Sequence, residues 1–313
     1  MGLKVGEVKL EKYNYNWKNM FEEEKENLKK IFGNLAISIE HVGSTSIEGL
    51  SAKPIIDILV GINDFKDFYL IKENFDVFPY SIKIDSDEDE ILVRKGDESN
   101  RTHFIHIMEI GSKRYINVLR FKEYLLKHKD SVIEYENLKK SLAEKYANDR
   151  KAYTASKNDF IKDIIKKSYI EDISLVKYNK SNYNFVYDLK KIVYKKYVEE
   201  YFKIWDEDAQ KTYFKSFIEK VYDNTYIIQL NGKDIGFYNL EYTNEYVEIG
   251  NICLLPKYQN YGIGSFILNK IISENADKKI KLQYFKSNPV GNLYSKLGFK
   301  IIGESDFHFH MEK

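Results

Sequence analysis

The sequence predicts two α/β (α+β) domains, on three observations. At 313 residues the chain exceeds one typical domain and suffices for two, each with a core of its own. Its first half reads as short strands closed by a charged, glycine-free helical stretch from Asn117 to about Ser168. Its second half reads as a strand meander, punctuated by Asn231-Gly232 and Thr243-Asn244, that passes through a glycine-rich turn into an apolar helix. The change of composition at 168 to 172 sets the domains at 1–170 and 171–313.

In the first half, Trp17, Met20, Phe21, Glu24, Leu28 and Ile31 recur at helical steps and predict the opening helix. A strand near Ile37 to His41, a Gly-Ser-Thr-Ser turn and a strand from Pro54 to Val60 follow. An acidic loop is expected at Asp85 to Glu90, with strands near Ile91 to Arg94 and His103 to Glu109. In the second half a short strand at Ile173 to Tyr178 precedes helices at Asn182 to Val198 and Asp206 to Tyr222. Strands at Thr225 to Leu230, Asp234 to Tyr242 and Tyr246 to Leu254 come next. A helix, a strand at Ile280 to Lys286, a short helix at Val290 to Lys296 and a strand from Lys300 complete the order.

Composition excludes several classes of function. With 43% hydrophobic residues, 26 Tyr and 19 Phe, the chain can bury a core and is not disordered. Basic and acidic residues nearly cancel, 49 against 48, so no overall field favours nucleic acid or an anionic membrane surface. A single cysteine, Cys253, excludes an internal disulfide and a cysteine-based zinc site, and its apolar strand marks it as core. The N-terminus lacks a signal-peptide pattern, and no run approaches the roughly 18 apolar residues of a membrane helix. A cytoplasmic protein without membrane or nucleic-acid partners is expected.

The stretch with most chemistry in it is Gln259-Asn260-Tyr261-Gly262-Ile263-Gly264-Ser265-Phe266. It joins a strand to a segment in which Ile267 and Ile271, and Leu268 and Ile272, share helical faces. The first backbone N–H groups of a helix lack partners within it, and the helix dipole adds partial positive charge there. A pyrophosphate can be held at such a junction by main chain alone, and Gly262 and Gly264 leave room for its oxygens.

From Glu248 to Phe299, with the glycine-rich turn, the Asn288-Pro289 pair and the closing Leu293-Tyr294-Ser295-Lys296-Leu297-Gly298-Phe299, the chain resembles the GNAT superfamily of acetyl-CoA-dependent N-acetyltransferases. The resemblance implies a GNAT fold for 171–313 and acetyl-CoA as the acyl donor. Glu248 matches the family's general base, with Glu245 and Glu241 as alternatives, and an outward-facing glutamate paired with lysine as the plain structural reading. A free strand N–H polarising the thioester carbonyl is implied near Cys253, Leu254 and Leu255. Tyr294 matches the tyrosine that protonates the departing thiolate. Asn288 is implied on the pantetheine arm and also suits the cap of the following helix. Trp205, Asp206, Glu207 and Asp208 fall where the family forms its acceptor cleft. Their acids suit a cationic amine, or equally a helix cap with first-turn acids.

Glu40-His41-Val42-Gly43-Ser44-Thr45-Ser46-Ile47-Glu48-Gly49-Leu50-Ser51-Ala52-Lys53-Pro54-Ile55-Ile56-Asp57-Ile58 and Arg101-Thr102-His103-Phe104-Ile105-His106 resemble the GrpB family, also called UPF0157. That resemblance implies a nucleotidyltransferase-like mixed sheet with helices. Nucleotidyl transfer needs two or three carboxylates for its magnesium ions. Asp57 is present, but Leu59 stands where a second acid would, and Glu109 is a distant substitute. Metal binding is therefore expected to be absent, or weak at Asp57. His41, Gly43, Ser44, Lys53, Asp57, Arg101, His103 and His106 form a candidate anion site for a nucleotide or phosphorylated ligand.

Two readings result. One is acetyl transfer from acetyl-CoA to a small amine, with a ligand-binding N-terminal domain. The other is nucleotidyl transfer to a small-molecule hydroxyl, with an accessory GNAT domain. The intact glycine-rich turn and Tyr294, set against Leu59, favour the first.

Overall fold

The computed structural model describes residues 2–83 and 89–313. They form two compact units divided between Ser168 and Tyr169. Of the acidic loop expected at Asp85 to Glu90, residues 85–88 lie outside the described residues. Among the described residues no helix is long and apolar enough to cross a membrane.

The first unit opens with α1 (Asn16–Phe32), whose Trp17, Phe21, Leu28 and Phe32 form its buried stripe. Then come β1 (Ser38–Val42), β2 (Ile56–Ile62), α2 (Phe65–Tyr69), β3 (Tyr80–Lys83), β4 (Ile91–Lys95) and β5 (His103–Glu109). The helices α3 (Lys113–Lys127), α4 (Lys129–Lys145), α5 (Arg150–Ala155) and α6 (Asn158–Glu171) close it. The strands form a mixed sheet in the order β1-β2-β5-β4-β3, with β2 and β5 parallel and the other pairs antiparallel.

Strand alternation gives this sheet two unlike faces. Ile56, Ile58, Val60, Ile105 and Ile107 pack under α1 in one core cluster. Val42, Leu59 and Met108 face the other way, against Tyr115 of α3. Leu59 is fully buried, so the position that lacks an acid is core packing.

The second unit contains β6 (Ile173–Lys177), α7 (Tyr183–Phe202), α8 (Glu207–Lys220), β7 (Thr225–Leu230), β8 (Lys233–Tyr242), β9 (Tyr246–Leu254), α9 (Ile263–Glu274), β10 (Lys279–Phe285), α10 (Gly291–Lys296), β11 (Lys300–Glu304) and β12 (His308–Glu312). Its sheet runs β11-β12-β10-β9-β8-β7-β6. The meander from β6 to β9 is antiparallel throughout, and β9 with β10 is parallel. The core on the α7 and α8 face is aromatic, with Tyr187, Tyr197, Phe214, Phe237 and Phe285 around Cys253.

Three elements depart from expectation. The single strand expected from Lys300 is a pair, β11 and β12, and β12 inserts beside β10. The short α2 and β3 are additional; their five and four residues carry too few periods to register as patterns.

Candidate functional site

In the second unit the parallel pairing of β9 with β10 stops at Ile249 and Leu282, while β9 continues to Leu254. The two strands therefore part, and a gap opens along the last residues of β9. On its other edge β9 stays paired with β8, where Leu255 N–H donates to the Ile235 carbonyl at 2.9 Å. Amides alternate along an antiparallel edge, so Cys253 N–H also faces β8, whereas those of Ile252 and Leu254 face the gap. Of the expected trio only the Leu254 N–H faces the gap, together with that of Ile252, while those of Cys253 and Leu255 are turned to β8.

A bulge at Gly250 resets the alternation, since Leu240 opposes Ile249 and Asn239 opposes Asn251. Glu248 and Cys253, five residues apart, thereby share the face covered by α7 and α8. A Cβ on Gly250 would lie 2.7 Å from Asn239 Oδ1 and 2.8 Å from Phe217 Cζ, so only glycine fits beneath α8. Asn239 is fully buried, and its Nδ2 has no hydrogen-bond partner among the described residues.

Glu248 lies opposite Glu241 on β8 and Lys281 on β10. Lys220 takes Glu241 at 2.6 Å, leaving Glu248 the less encumbered acid of the pair. Tyr294 of α10 is buried, 5.7 Å from the Tyr284 ring centroid. Burial, with Cys253 and Tyr284 adding to it, holds its phenol well above the usual range, so it keeps its proton at neutral pH. Burial also pushes the Cys253 thiol up to about 12, which makes it a protonated core group rather than a nucleophile.

Asn288 Oδ1 accepts from Val290 N–H at 3.0 Å, a side-chain turn that leads into α10 rather than the cap of the helix itself, whose N-cap residue is Val290. At the glycine-rich turn, Gly262 has φ 79°, a left-handed conformation, and its carbonyl accepts the first helical bond from Phe266 N–H at 2.9 Å. The N–H groups of Ile263, Gly264 and Ser265 thus precede the first intrahelical bond of α9. Gln259 Nε2 donates to the Leu254 carbonyl at 2.9 Å, tying the turn to the gap, and Tyr261 stacks on Tyr169 at 4.1 Å. Asn260 has φ 69° and supplies the turn before it.

Two of the three acidic residues at the start of α8 are already engaged. Asp206 Oδ1 caps the helix at Ala209 N–H, 3.0 Å away, and Glu207 holds Lys191 and Trp205 Nε1 at 2.7 and 3.0 Å. Two residues of α7 escaped the sequence reading. Lys190 is buried and bonds to Gln210 Oε1 at 3.1 Å, and burial brings its pKa down to about 8. One turn on, Tyr194 hydrogen-bonds Cys253 and is raised far above its usual range by burial. Their i, i+4 spacing was readable, but nothing in a helix so rich in Tyr and Lys singled them out.

In the first unit, register separates the residues grouped from sequence. His41 and His103 belong to the α1 face of the sheet, Asp57 and His106 to the other. His41 bonds Thr45 Oγ1 at 3.0 Å and stacks on Phe21. Burial lowers both His41 and His103 to about 4, so neither offers a cation at neutral pH. Arg101 is buried with its Nη1 3.4 Å from Ser81 Oγ, away from Asp57. Glu109, at the far end of β5, accepts from Phe65 N–H at 3.2 Å, which corrects its reading as a distant metal carboxylate.

Gly43, Ser44, Lys53, Asp57 and His106 do converge. A Cβ on Gly43, whose φ is 69°, would lie 2.3 Å from Asp57 Oδ2. Gly43→Ala is therefore expected to cost about 2 kcal/mol or more of stability, read as a lower urea midpoint at unchanged slope. His106 Nε2 sits 3.5 Å from Asp57 Oδ1, and its Nδ1 bonds Glu90, which Arg114 holds in turn. Burial alone would lower His106, but Asp57 and Glu90 raise it to about 9.

His103 gives a pH test. Its folded pKa of about 4 lies below the usual value of 6.5, so between these the unfolded chain binds more protons and stability rises with pH. Full above pH 6.5, this contribution is lost as pH falls, by roughly 3 kcal/mol. A urea midpoint for the first unit that is no lower at pH 4 than at pH 7, or a His103→Gln variant with the parent's acid sensitivity, would contradict this.

Each unit matches a known family model. The second unit is of the acetyltransferase class: the family model described as acetyltransferase (GNAT) domain matches residues 222–301. The model described as GrpB protein matches residues 7–167, and the chain belongs to the GrpB family. Glutamate-rich protein GrpB of Alkalihalophilus pseudofirmus is 36% identical over 174 residues, covering 53% of this chain and 98% of that one. UPF0157 protein YqkA of Bacillus subtilis is 36% identical over 153 residues, 48% of this chain and 44% of that one. Among solved structures, conserved protein GrpB from Enterococcus faecalis is 33% identical over 51% of this chain and 96% of its own, with a TM-score of 0.48. The PaiA N-acetyltransferase of Thermoplasma acidophilum, in complex with coenzyme A, is 21% identical over 45% and 98%, with a TM-score of 0.38.

Proposed function

We infer that the second unit transfers an acetyl group from acetyl-CoA to the nitrogen of a small-molecule amine. The observation that carries this is Gly264. A Cβ there would meet only Leu293 Cδ2, at an ordinary 3.8 Å, so the fold does not require glycine in the first turn of α9. A glycine inside a helix costs about 1 kcal/mol relative to alanine, and close approach of a pyrophosphate to the main chain accounts for accepting that cost.

In the reaction, the neutral amine attacks the thioester carbonyl, a C–N bond forms and the C–S bond breaks. The Leu254 and Ile252 N–H groups favour the charge that develops on the carbonyl oxygen. Glu248, through water, takes the proton that the amine nitrogen sheds, and Tyr294 gives its proton to the departing thiolate. Asn288 Nδ2 remains available to the pantetheine arm while its oxygen holds the Val290 N–H ahead of α10.

The first unit is read as binding a nucleotide or other phosphorylated ligand. Nucleotidyl transfer is disfavoured by the buried Leu59 and by the engagement of Glu109 with the Phe65 N–H of α2.

The acetyl-transfer reading is tested by incubating the full chain and acetyl-CoA with polyamines, aminoglycosides, amino acids and aminated nucleotides, following free thiol and product mass. With the acceptor so found, Glu248→Gln should be slow at neutral pH and recover at high pH, where the amine is already neutral. A variant equally slow at every pH would remove Glu248 from the role of base.

A further inference from the structure

The Asp57 side of the first sheet is built around an excess of positive charge that comes mostly from outside the strand motif. Asp57 stands in a row across the sheet with Val42, Phe104 and Arg94. Arg150 of α5 places its guanidinium 4.8 Å from the Phe104 ring centroid. Lys53 and Lys157 lie at 5.2 and 4.5 Å from the ring of Tyr153, itself 1% exposed. All three cations act on Asp57.

Among the described residues one carboxylate does not balance them, because Asp57 is already shared with His106, and Glu90, beyond that histidine, is held by His106 and Arg114. Burial, then repulsion from Arg150, lowers Lys53 to about 7, and burial lowers Lys157 to about 8. Cations kept together in partly desolvated surroundings cost stability unless an anion joins them. The wall of the pocket nearest Asp57 is the Gly43-Ser44 turn, where the absence of a Cβ lets the carboxylate approach the main chain and where the Tyr135 phenol hydrogen-bonds Ser44.

We propose that this pocket binds a phosphate chain or the phosphate end of an ester on Lys53, Arg150 and Lys157, without a divalent metal. The proposal rests on the reading of the first unit as a binder of phosphorylated ligands and commits it to a charge source. Phosphate is the anion that suits the set: a planar guanidinium fork and two ammonium point charges match several oxygens carrying more than one charge. The metal is dispensable because side chains supply the neutralising charge. Among the described residues no group of three His, Cys, Asp or Glu is arranged to hold one.

The experiment is calorimetric titration of the full chain with inorganic triphosphate in EDTA, repeated with magnesium and with a nucleoside triphosphate. Binding is expected in EDTA and unimproved by magnesium. Lys157→Met and Arg150→Met, which keep the aliphatic stems, should each weaken it roughly tenfold or more while the melting temperature holds or rises. Gly262→Val, altered at the second unit's turn, should leave this binding intact and so separates the two phosphate sites. A nucleoside triphosphate binding more tightly than triphosphate assigns the pocket to nucleotides, and equal affinity assigns it to phosphate alone; both support it. Binding that appears only with magnesium, or that ignores both Met variants, overturns the cation pocket while sparing the broader reading. Failure of both triphosphates to bind under any of these conditions removes both.

Discussion

Tyr294→Phe is expected to lower the maximal rate of acetyl transfer by roughly 100-fold or more while leaving acetyl-CoA affinity little changed. The phenol is buried and keeps its proton at neutral pH, so it is in the acid form throughout the working range. Removing one oxygen leaves the ring contacts with Tyr284 and Phe299 in place, so the fold should not answer for the loss. The proton is needed only as the C–S bond breaks, which is why the effect should fall on the rate and not on binding. Steady-state kinetics with the identified acceptor decide it. A parent rate in Tyr294→Phe would give the acid role to water or another tyrosine and reduce Tyr294 to packing.

Gly262→Val should abolish measurable CoA binding. Gly262 ends the turn at φ 79°, where a β-branched residue is strained, and its position aims the N–H groups of Ile263, Gly264 and Ser265 outward from the start of α9. Because this substitution also strains the turn, Gly264→Ala is the cleaner partner. Its methyl finds ordinary space in the protein and should raise the melting temperature slightly, yet it stands where the phosphate oxygens are expected. Undiminished CoA affinity in both variants, by calorimetry, would remove the pyrophosphate from this turn.

Much of the fold was legible because its elements carry strong local signals. The strands β5, β7 and β9 run over the residues expected from alternation and turn dipeptides, and α1 follows its apolar stripe. What failed was short or non-local. The four residues of β3 hold too few alternations, and β12 inserts beside β10 through a pairing that no local pattern encodes.

In the first site the parity of positions 103 and 106 already separated His103 from His106; grouping both ignored the two faces of a strand. Arg150 and Lys157 were illegible for another reason. They sit in a uniformly charged helical stretch, where a cation turned into a pocket has the same sequence signature as one turned to water. The gap beside β9 was anticipated in place but not in detail. Which amides face it depends on the bulge at Gly250 and on the Leu255 bond to Ile235, both tertiary facts.

The measurement that bears most directly on the central claim is calorimetric titration of the full chain with acetyl-CoA, in EDTA and without nucleotide. The account predicts saturable binding of one acetyl-CoA per chain, competed by CoA and lost in Gly262→Val. An absence of binding, or binding unaffected by that substitution, would contradict it.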